Sequence, residues 1–342
     1  MNDYVFVMDV DGTICPIKKP DQSYSELSRN DDVCDRMKEL KKDGATFILH
    51  SARQMRTYNG DLEEIERNTR PVLEDWIKRN DVPCDSLILG KPWAGPKGYY
   101  VDDRAMLPKE FAEWTPSTLI VPICGRSSRY PKGVPKYLYP VFPDNHPMIY
   151  EALQGIDLRL FSRKVFVILR EHDESYNVRN IIRNIVPDAE FVILDKHTSC
   201  QTETVCKAIE LADIRGQMSI RDCDSRIDVF RIPKGNSVAG YELRYGTTPE
   251  QHSNKCFLVT EKDTLMRIAE KDPVSATIGC GLYTFASAQE FMDNVILAND
   301  GETYISHIVS RMLSKGHPFR YVQSMTFRDW GTIDDYNRER GI

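Results

Sequence analysis

The stretch Val5-Phe-Val-Met-Asp9-Val-Asp11-Gly-Thr13-Ile14 is a short apolar run followed by two aspartates two positions apart. The run predicts a buried strand, and ligands bind at the carboxyl ends of strands in open α/β sheets. Because side chains alternate along a strand, Asp9 and Asp11 point to the same side, and Gly12 lets the chain turn away there. Carboxylates this close repel each other, so they commonly share a proton or a metal ion. The stretch therefore predicts a reactive strand end; the alternative is an edge strand that ends in an acidic turn.

Further strands and helices follow along the first third of the chain. Apolar residues at helical spacing, β-branched runs and glycine stops mark their limits. The predicted elements are a helix over 31–42, a strand over 45–49, a helix over 62–79 with a kink or break at Pro71, and strands over 86–89 and 98–101.

A polar residue suited to phosphate chemistry follows each of these strands. Ser51 can donate a hydrogen bond to a phosphate oxygen, and Lys91 supplies a point charge. Asp102 and Asp103 form another acidic pair at a strand end. Each residue alone fits an ordinary solvated turn, but their order and placement favour one site.

These residues resemble the four motifs of the haloacid dehalogenase-like phosphatases, namely Asp9-x-Asp11-Gly-Thr13, Ser51, Lys91 and Asp102-Asp103. The resemblance covers about residues 1 to 115. It implies that Asp9 is the nucleophile, which forms an aspartyl-phosphate, and that Asp11 is the general acid and then the base. Ser51 and Lys91 are implied to hold the phosphoryl group. The implied Mg²⁺ ligands are Asp9, Asp11, Asp102 and Asp103.

The gaps between these motifs have room for one helix and a short loop each. They leave no space for the separate cap domain that many relatives carry. The site is therefore expected to be open, or covered by the loop 16–30 or by a second domain. The short form resembles small phosphatases of capsule polysaccharide gene clusters.

Length and composition indicate an ordinary globular protein of two domains. The chain has 342 residues, of which 41% are hydrophobic and 28% charged. A net charge of -6 argues against nucleic-acid binding. No apolar run reaches the length of a membrane span, and nine cysteines without a Cys-x-x-Cys pair are typical of reduced thiols. We expect a cytoplasmic protein with neither nucleic acid nor membrane as partner; a homo-oligomer is compatible with the sequence.

The domain boundary is predicted near residues 114–117, where periodicity is weak before a new strand at 119–123. This gives domains over 1–115 and 118–342. A small-residue basic loop follows the new strand and contains Gly125, Ser127, Ser128 and Arg129. Its backbone N–H groups can surround phosphates, and Arg129 can make bidentate contacts.

This strand and loop, followed by Pro135-Lys136, resemble the opening signature of sugar-phosphate nucleotidyltransferases. The likeness continues through predicted strands at 164–169, 190–194 and 217–220, and through a helix over 176–185. It implies nucleotide contacts near Glu203, at the start of another helix. It also implies a metal bound by Asp222 and Asp224 of a second Asp-x-Asp; alternatively, Asp224 only caps a turn.

The last part of the chain extends this resemblance. Glu270-Lys271-Asp-Pro273 resembles a Glu-Lys-Pro element whose lysine holds the acceptor phosphate, and Gly281-Leu-Tyr283 resembles a nearby Gly-x-Tyr strand. Asp329-Trp-Gly-Thr332 resembles the closing element and implies Asp329 as a further metal ligand. Two departures stand out: Ser127 replaces a second glycine of the loop, and 231–256 resembles no relative and is expected to form a hairpin near the acceptor.

Together the resemblances imply an α/β protein of two Rossmann-like domains, a capless haloacid dehalogenase-like domain and a GT-A-like nucleotidyltransferase domain with a mixed sheet. The implied activities are a Mg²⁺-dependent phosphatase and a transferase that activates a sugar or polyol phosphate with a nucleoside triphosphate. CTP is slightly favoured, and the implied product is a precursor of capsule or surface polysaccharide. One alternative is a GT-A glycosyltransferase as second domain, against which the Arg129 and Lys136 loop argues. The other is a phosphatase-like domain that is catalytically silent.

Overall fold

The computed structural model describes residues 4–95, 97–100, 102, 104–131, 133–229, 231–244, 247–298 and 302–340. The chain divides into two compact units, Met1–Trp114 and Thr115–Ile342. Among the described helices, none combines the length and the apolar character needed to cross a membrane.

The first unit is built on a parallel sheet of three strands in the order β1-β2-β3. Parallel neighbours need crossover connections, and here each crossover contains one long helix. The elements are β1 (Val5–Met8), a 3-10 turn (Tyr24–Glu26), α1 (Asp31–Lys42), β2 (Thr46–Ser51), α2 (Leu62–Arg79), β3 (Ser86–Leu89) and α3 (Pro108–Glu113). The predicted bounds of α1, α2 and β3 are confirmed.

Three expectations for this unit are wrong. Pro71 does not break α2, since the buried side chains Ile65 before it and Leu73 after it keep the helix packed on both sides of the proline. The strand β1 is not fully buried, because its side chains alternate and Val5 and Val7 are 59% and 63% exposed. No strand forms at 98–100, and Val101 lies outside the described residues.

The second unit contains a mixed sheet of nine strands in the order β11-β15-β13-β12-β14-β9-β4-β7-β8. Its strands are β4 (Ser117–Pro122), β7 (Phe161–Leu169), β8 (Ala189–Leu194), β9 (Met218–Arg221), β11 (Ser237–Glu242), β12 (Cys256–Glu261), β13 (Thr264–Glu270), β14 (Thr277–Phe285) and β15 (Arg320–Gln323). Two small ribbons complete it, β5 (Pro140–Val141) with β6 (His146–Pro147), and β10 (Ser225–Ile227) with β16 (Phe327–Asp329).

Helices cover this sheet on both faces. They are α4 (Met148–Gln154), α5 (Arg170–Tyr176), α6 (Val178–Ile185), α7 (Gln201–Leu211), α8 (Ala288–Asp293), α9 (Ile305–Ser314) and α10 (Ile333–Arg340). Successive residues of β4 enter different cores: Ile120 packs in one apolar cluster, and Leu119 and Val121 pack in another. This alternation is why the strand has three consecutive apolar residues, Leu119 to Val121.

The strands β4, β7, β8 and β9 pair in parallel, whereas β14 runs antiparallel to β9. The mixed sheet predicted for this part of the chain is therefore confirmed. The hairpin expected within 231–256 is wrong, because β11 is a single strand that pairs in parallel with β15 and antiparallel with β14.

Candidate active sites

Four predicted residues of the first unit lie together at the carboxyl ends of its strands. The Lys91 Nζ atom is 3.3 Å from Asp9 Oδ1, and the Lys91 backbone N–H donates to the Ser51 carbonyl at 3.1 Å. Ser51 is fully buried, and its hydroxyl oxygen accepts a hydrogen bond from the Arg53 backbone N–H at 3.1 Å. Asp11 joins them through the Arg53 side chain.

Arg53 is the residue that the sequence analysis missed here. Its Nε atom lies 3.1 and 3.0 Å from the two carboxylate oxygens of Asp11, and Nη2 donates to the Cys15 sulfur at 3.2 Å. Burial raises the pKa of Cys15 to about 12, so the Cys15 thiol is neutral. Arg53 is 2% exposed, and its Nη1 has no hydrogen-bond partner among the described residues. The spacing Ser51-Ala-Arg53 at a strand end was the available signal.

The loop that was expected to cover an open site does approach Arg53. The Tyr24 ring lies 4.6 Å from the Arg53 guanidinium carbon. The loop is anchored on α2, where Trp76 Nε1 donates to the Leu27 carbonyl at 2.7 Å and Arg79 Nη2 donates to the Ser25 carbonyl at 3.1 Å. Tyr24 therefore covers the Arg53 side of the site.

The second acidic pair of this unit is only partly described. Asp102 is exposed, and its carboxylate accepts a hydrogen bond from the Arg104 backbone N–H at 2.7 Å. Asp103 lies outside the described residues. Their predicted place beside Asp9 therefore stays a prediction.

The second unit contains a cleft of about 500 Å³ at the carboxyl ends of β4 and β9. Because these strands are parallel neighbours, the loop after β4 meets the Asp-x-Asp segment after β9. All but one of the residues predicted for this unit line the cleft, namely Gly125, Ser127, Ser128, Arg129, Lys136, Asp222, Asp224, Lys271, Gly281 and Asp329.

The loop at 124–129 accommodates its serine in a left-handed backbone conformation. Ser127 has a φ of +51°, a backbone conformation that glycine adopts more readily than other residues do. The Ser127 hydroxyl accepts a hydrogen bond from the Lys136 backbone N–H at 3.1 Å, and its carbonyl accepts one from Tyr130 at 2.9 Å. These bonds fix the loop turn and tie it to Lys136.

Two lysines pair with the carboxylates of the cleft. Lys136 Nζ is 2.6 Å from Asp224 Oδ2, and Lys255 Nζ is 2.7 Å from both Asp329 oxygens. Burial opposes ionisation of Asp224, but the charges of Lys136 and Lys255 hold its pKa below the usual range. Burial and the nearby Asp224 charge raise the pKa of Asp222.

Gly281 permits the close approach of Asp222. The Asp222 backbone N–H donates to the Gly281 carbonyl at 2.8 Å. A Cβ atom at position 281 would lie 2.4 Å from Asp222 Oδ2, and the φ there is +72°. The carboxylate also accepts a hydrogen bond from Gln201 Nε2, a lining residue that the sequence analysis did not single out.

Arg221, which the sequence analysis also missed, holds the backbone of the Asp-x-Asp segment in place. It is 0% exposed, and its guanidinium donates to the carbonyls of Cys280 and Gly281 at 3.2 Å and to the Ser225 hydroxyl at 3.1 Å. These bonds connect the end of β9 to β14, so Arg221 fixes the backbone on which Asp222 is carried.

The far end of the cleft holds a second polar network. Lys271 Nζ donates to the Tyr304 hydroxyl at 2.5 Å, and that hydroxyl donates to Glu302 at 2.7 Å. The Ser306 hydroxyl donates to Glu270 at 2.5 Å. Carboxylates and a tyrosine beside a lysine suit a ligand that carries both an anionic group and hydroxyls.

Glu203 is the predicted residue that does not line the cleft. Its carboxylate accepts hydrogen bonds from the backbone N–H and the hydroxyl of Ser199, both at 2.7 Å, and lies 3.5 Å from Lys207. Glu203 therefore fixes the start of α7, while Gln201 reaches Asp222.

Among the described residues of this unit, two sets of side chains offer oxygen or nitrogen donors that a metal ion could use, one in the cleft and one outside it. Asp222, Asp224 and Asp329 supply hard carboxylate oxygens, which suit Mg²⁺. The Lys136 and Lys255 ammonium groups already face two of them, so the cleft can accept positive charge at this place. Asp144, His146 and Glu151 form the other group, but Glu151 is paired with Arg226 at 2.7 Å and with His146 at 3.1 Å.

Comparison with known proteins defines the class of this fold. No family model and no curated protein matches the chain. A nucleoside-diphosphate-sugar pyrophosphorylase from Vibrio cholerae RC9 is 19% identical, with 66% of this chain and 100% of that chain covered and a TM-score of 0.52. An inositol-1-phosphate CTP transferase from T. maritima is 11% identical, with 67% and 94% covered and a TM-score of 0.53.

A UDP-glucose pyrophosphorylase complexed with UDP-glucose is 16% identical, with 66% and 98% covered and a TM-score of 0.50. Another solved chain from Vibrio cholerae is 35% identical, with 33% of this chain and 89% of that chain covered and a TM-score of 0.31. The three neighbours with TM-scores of 0.50 to 0.53 show that about two thirds of this chain has a fold like that of sugar-phosphate nucleotidyltransferases.

Proposed function

We propose that the second unit, over 118–342, is a nucleotidyltransferase that couples a sugar or polyol phosphate to a nucleoside triphosphate. The observation that carries the proposal is the meeting, in one cleft, of a phosphate-binding type of loop, three carboxylates and the lysines at positions 136, 255 and 271. Five basic and five acidic side chains line this cleft. The net charge of the lining side chains is therefore close to zero, so binding of a triphosphate in the cleft needs additional positive charge.

The chain's own residues position the reactants. Backbone N–H groups of the loop and Arg129 bind the triphosphate, and Lys136 neutralises charge on the leaving phosphates. Lys271 holds the acceptor phosphate, one oxygen of which attacks the α-phosphorus. The new P–O bond forms as the bond between the α- and β-phosphates breaks, and pyrophosphate leaves. Catalysis thus consists of positioning and charge stabilisation.

Mg²⁺ bound by Asp222, Asp224 and Asp329 supplies further charge neutralisation when present. Asp222 is held in place by Gln201 and by the close approach of Gly281, so a rigid ligand is available. The nucleotide itself is proposed as CTP first. Nucleotide specificity varies among proteins of this fold, since one solved neighbour is a CTP transferase and another is complexed with UDP-glucose.

We propose that the first unit, over 1–115, is a capless haloacid dehalogenase-like phosphatase. Asp9 would attack the phosphorus of a phosphate monoester and form an aspartyl-phosphate, while Asp11 protonates the leaving oxygen and later activates water. The 3.3 Å contact of Asp9 with Lys91 places a positive charge beside the proposed nucleophile, and the 3.0 Å contact with Arg53 fixes the position of the Asp11 carboxylate. Lys91 and Ser51 bind the phosphoryl group, and Mg²⁺ would be held by Asp9 and Asp11 with Asp102 and Asp103.

The two activities suit the synthesis of an activated precursor for surface or capsule polysaccharide in the cytoplasm. One site removes a phosphate, and the other couples a phosphate to a nucleotide. All nine cysteines are unpaired in the structure, in keeping with a reducing compartment.

One assay with two variants tests both proposals. Sugar and polyol phosphates are incubated with Mg²⁺ and each nucleoside triphosphate, and phosphate and pyrophosphate are measured separately. Asp9→Asn should abolish phosphate release alone, and Asp222→Asn should abolish pyrophosphate release alone. If no triphosphate yields pyrophosphate with any acceptor, the transferase proposal is wrong. If Asp9→Asn releases phosphate as fast as wild type, the phosphatase proposal is wrong.

A further inference from the structure

Lys255 belongs to the stretch for which the sequence offered no function. It lies directly before β12, where its backbone N–H donates to the His252 carbonyl and its carbonyl accepts from the Lys271 N–H, both at 2.9 Å. The side chain is 17% exposed and lies in the cleft, with Nζ 2.7 Å from both oxygens of Asp329. A Cβ atom at Gly331 would lie 3.1 Å from this Nζ, so the neighbouring glycine leaves room for it.

This placement puts Lys255 between the two ends of the cleft. Its ammonium group faces Asp329 and also acts on Asp224, and its backbone is bonded to Lys271 at the acceptor end. Lys255 is paired with Asp329, and the proposed reaction needs the Asp329 carboxylate as a ligand for a divalent cation. A lysine has a flexible stem and three rotatable donors, so the same ammonium can reach more than one partner in the cleft.

We propose that Lys255 is a substrate-binding catalytic residue, whose ammonium neutralises Asp329 in the free enzyme and moves to the α-phosphate when the nucleotide binds. The proposal rests on the proposed transferase function and adds a residue to it. In the free state Lys255 competes with divalent cations for Asp329. During transfer it stabilises the charge that develops on the α-phosphoryl oxygens, at the point between donor and acceptor.

Removing the Lys255 charge should strengthen metal binding by the free enzyme and should slow the transfer reaction. Lys255→Met frees Asp329, so Mn²⁺ should bind the nucleotide-free protein more tightly, by about tenfold. The same change removes a transition-state contact, so kcat for pyrophosphate release should fall by about 100-fold. A lysine that only pairs with Asp329 would show the tighter metal binding without the selective loss of kcat.

The test uses the full chain and has a matched control. Free Mn²⁺ is measured by electron paramagnetic resonance during titration of wild type, Lys255→Met, Lys255→Arg and Lys164→Met, each also in the Asp9→Asn background, which removes a ligand of the metal site proposed in the first unit. Lys164 is also buried, and its Nζ is 2.6 Å from Asp188, away from the lining residues. We expect tighter Mn²⁺ binding in Lys255→Met alone, and Mn²⁺ binding like that of wild type in Lys255→Arg, which keeps the charge.

Mn²⁺ binding by Lys255→Met that is unchanged or weaker than in wild type overturns the proposal, as does an unchanged kcat. If Lys255→Met does not fold, Lys255→Gln removes the charge and keeps a hydrogen-bond donor. If wild type produces no pyrophosphate with any triphosphate, the proposed function has failed. The Mn²⁺ titration still decides whether Lys255 competes for Asp329, and direct binding of labelled CTP, expected to weaken at least about tenfold in Lys255→Met, decides the phosphate contact.

Discussion

The contact between Gly281 and Asp222 provides a sharp test of the cleft. A Cβ atom at position 281 would lie 2.4 Å from Asp222 Oδ2 and 2.8 Å from Asp222 Cγ. The two backbones are joined by a 2.8 Å hydrogen bond, so they cannot separate without losing it. In Gly281→Ala the Asp222 carboxylate must therefore turn away from the position in which Gln201 holds it.

The expected effects on stability and rate have separate causes. The left-handed φ of +72° should cost any residue with a Cβ about 1–2 kcal/mol of unfolding free energy. The displaced carboxylate also loses the Gln201 hydrogen bond, and a hydrogen bond to a charged group contributes about 1.5–3 kcal/mol. Since about 1.4 kcal/mol corresponds to tenfold in rate, pyrophosphate release should fall by about 10- to 100-fold.

Gly216→Ala is the control for the free-energy cost of placing a residue with a Cβ in the left-handed backbone conformation. Gly216 has a φ of +70°, but no heavy atom lies within 4 Å of a Cβ placed there. Both variants should lose the stability that the left-handed backbone costs, and Gly281→Ala should lose more in urea unfolding because it also loses the Gln201 hydrogen bond. Only Gly281→Ala should lose pyrophosphate release at saturating Mg²⁺. Equal transfer rates in the two variants would refute the argument that Asp222 must occupy this position.

Three further predictions concern the buried side chains of Arg53 and Arg221 and the half-buried ring of His172. Arg53→Met should lower the rate of phosphate release by about tenfold or more, because Asp11 loses both hydrogen bonds from Nε; a rate equal to that of wild type contradicts the role of Arg53. Arg221→Met should lower the unfolding free energy by about 3 kcal/mol or more, because several buried acceptors lose their donor; urea unfolding measures this, and a loss below about 1 kcal/mol contradicts it. Burial and the nearby His197 lower the pKa of His172 below its ordinary value of 6.5. The folded state then binds this proton less well than the unfolded state, so stability is complete above pH 6.5 and declines as the pH falls below it. His172→Gln should reduce that decline in thermal unfolding between about pH 7 and 5, and an unchanged slope contradicts the assignment.

Local patterns were sufficient for elements whose limits are set by their own residues. The helices Asp31–Lys42 and Leu62–Arg79 have the predicted bounds, because amphipathic spacing and the Asp61 cap are encoded within a few residues. The predicted break at Pro71 does not occur, because this position is decided by tertiary packing. Packing of α2 against the rest of its unit outweighs a local helix-breaking preference.

Residues that act across strands left little local signal. Arg53, Arg221 and Lys255 are charged, and such residues are almost always exposed unless paired. Their burial depends on partners 42, 59 and 74 positions away in the sequence, and no local pattern reveals such pairings. Glu203 shows that a segment can be easier to predict than the residue within it, since the Glu203 carboxylate bonds to Ser199 at the helix start, while Gln201 of the same helix reaches Asp222.

The stretch before β12 shows why a site can be only partly visible in sequence. The motifs at positions 222, 271 and 329 could be recognised because each is short and follows a strand. Lys255 belongs to no such motif, yet it reaches Asp329 because β12 pairs with β13 and brings Lys255 beside Lys271. Strand pairing, rather than spacing along the chain, therefore supplies the third lysine of the cleft. If Lys255 acts on the α-phosphate, the part of the chain without a recognisable motif contributes directly to the proposed reaction.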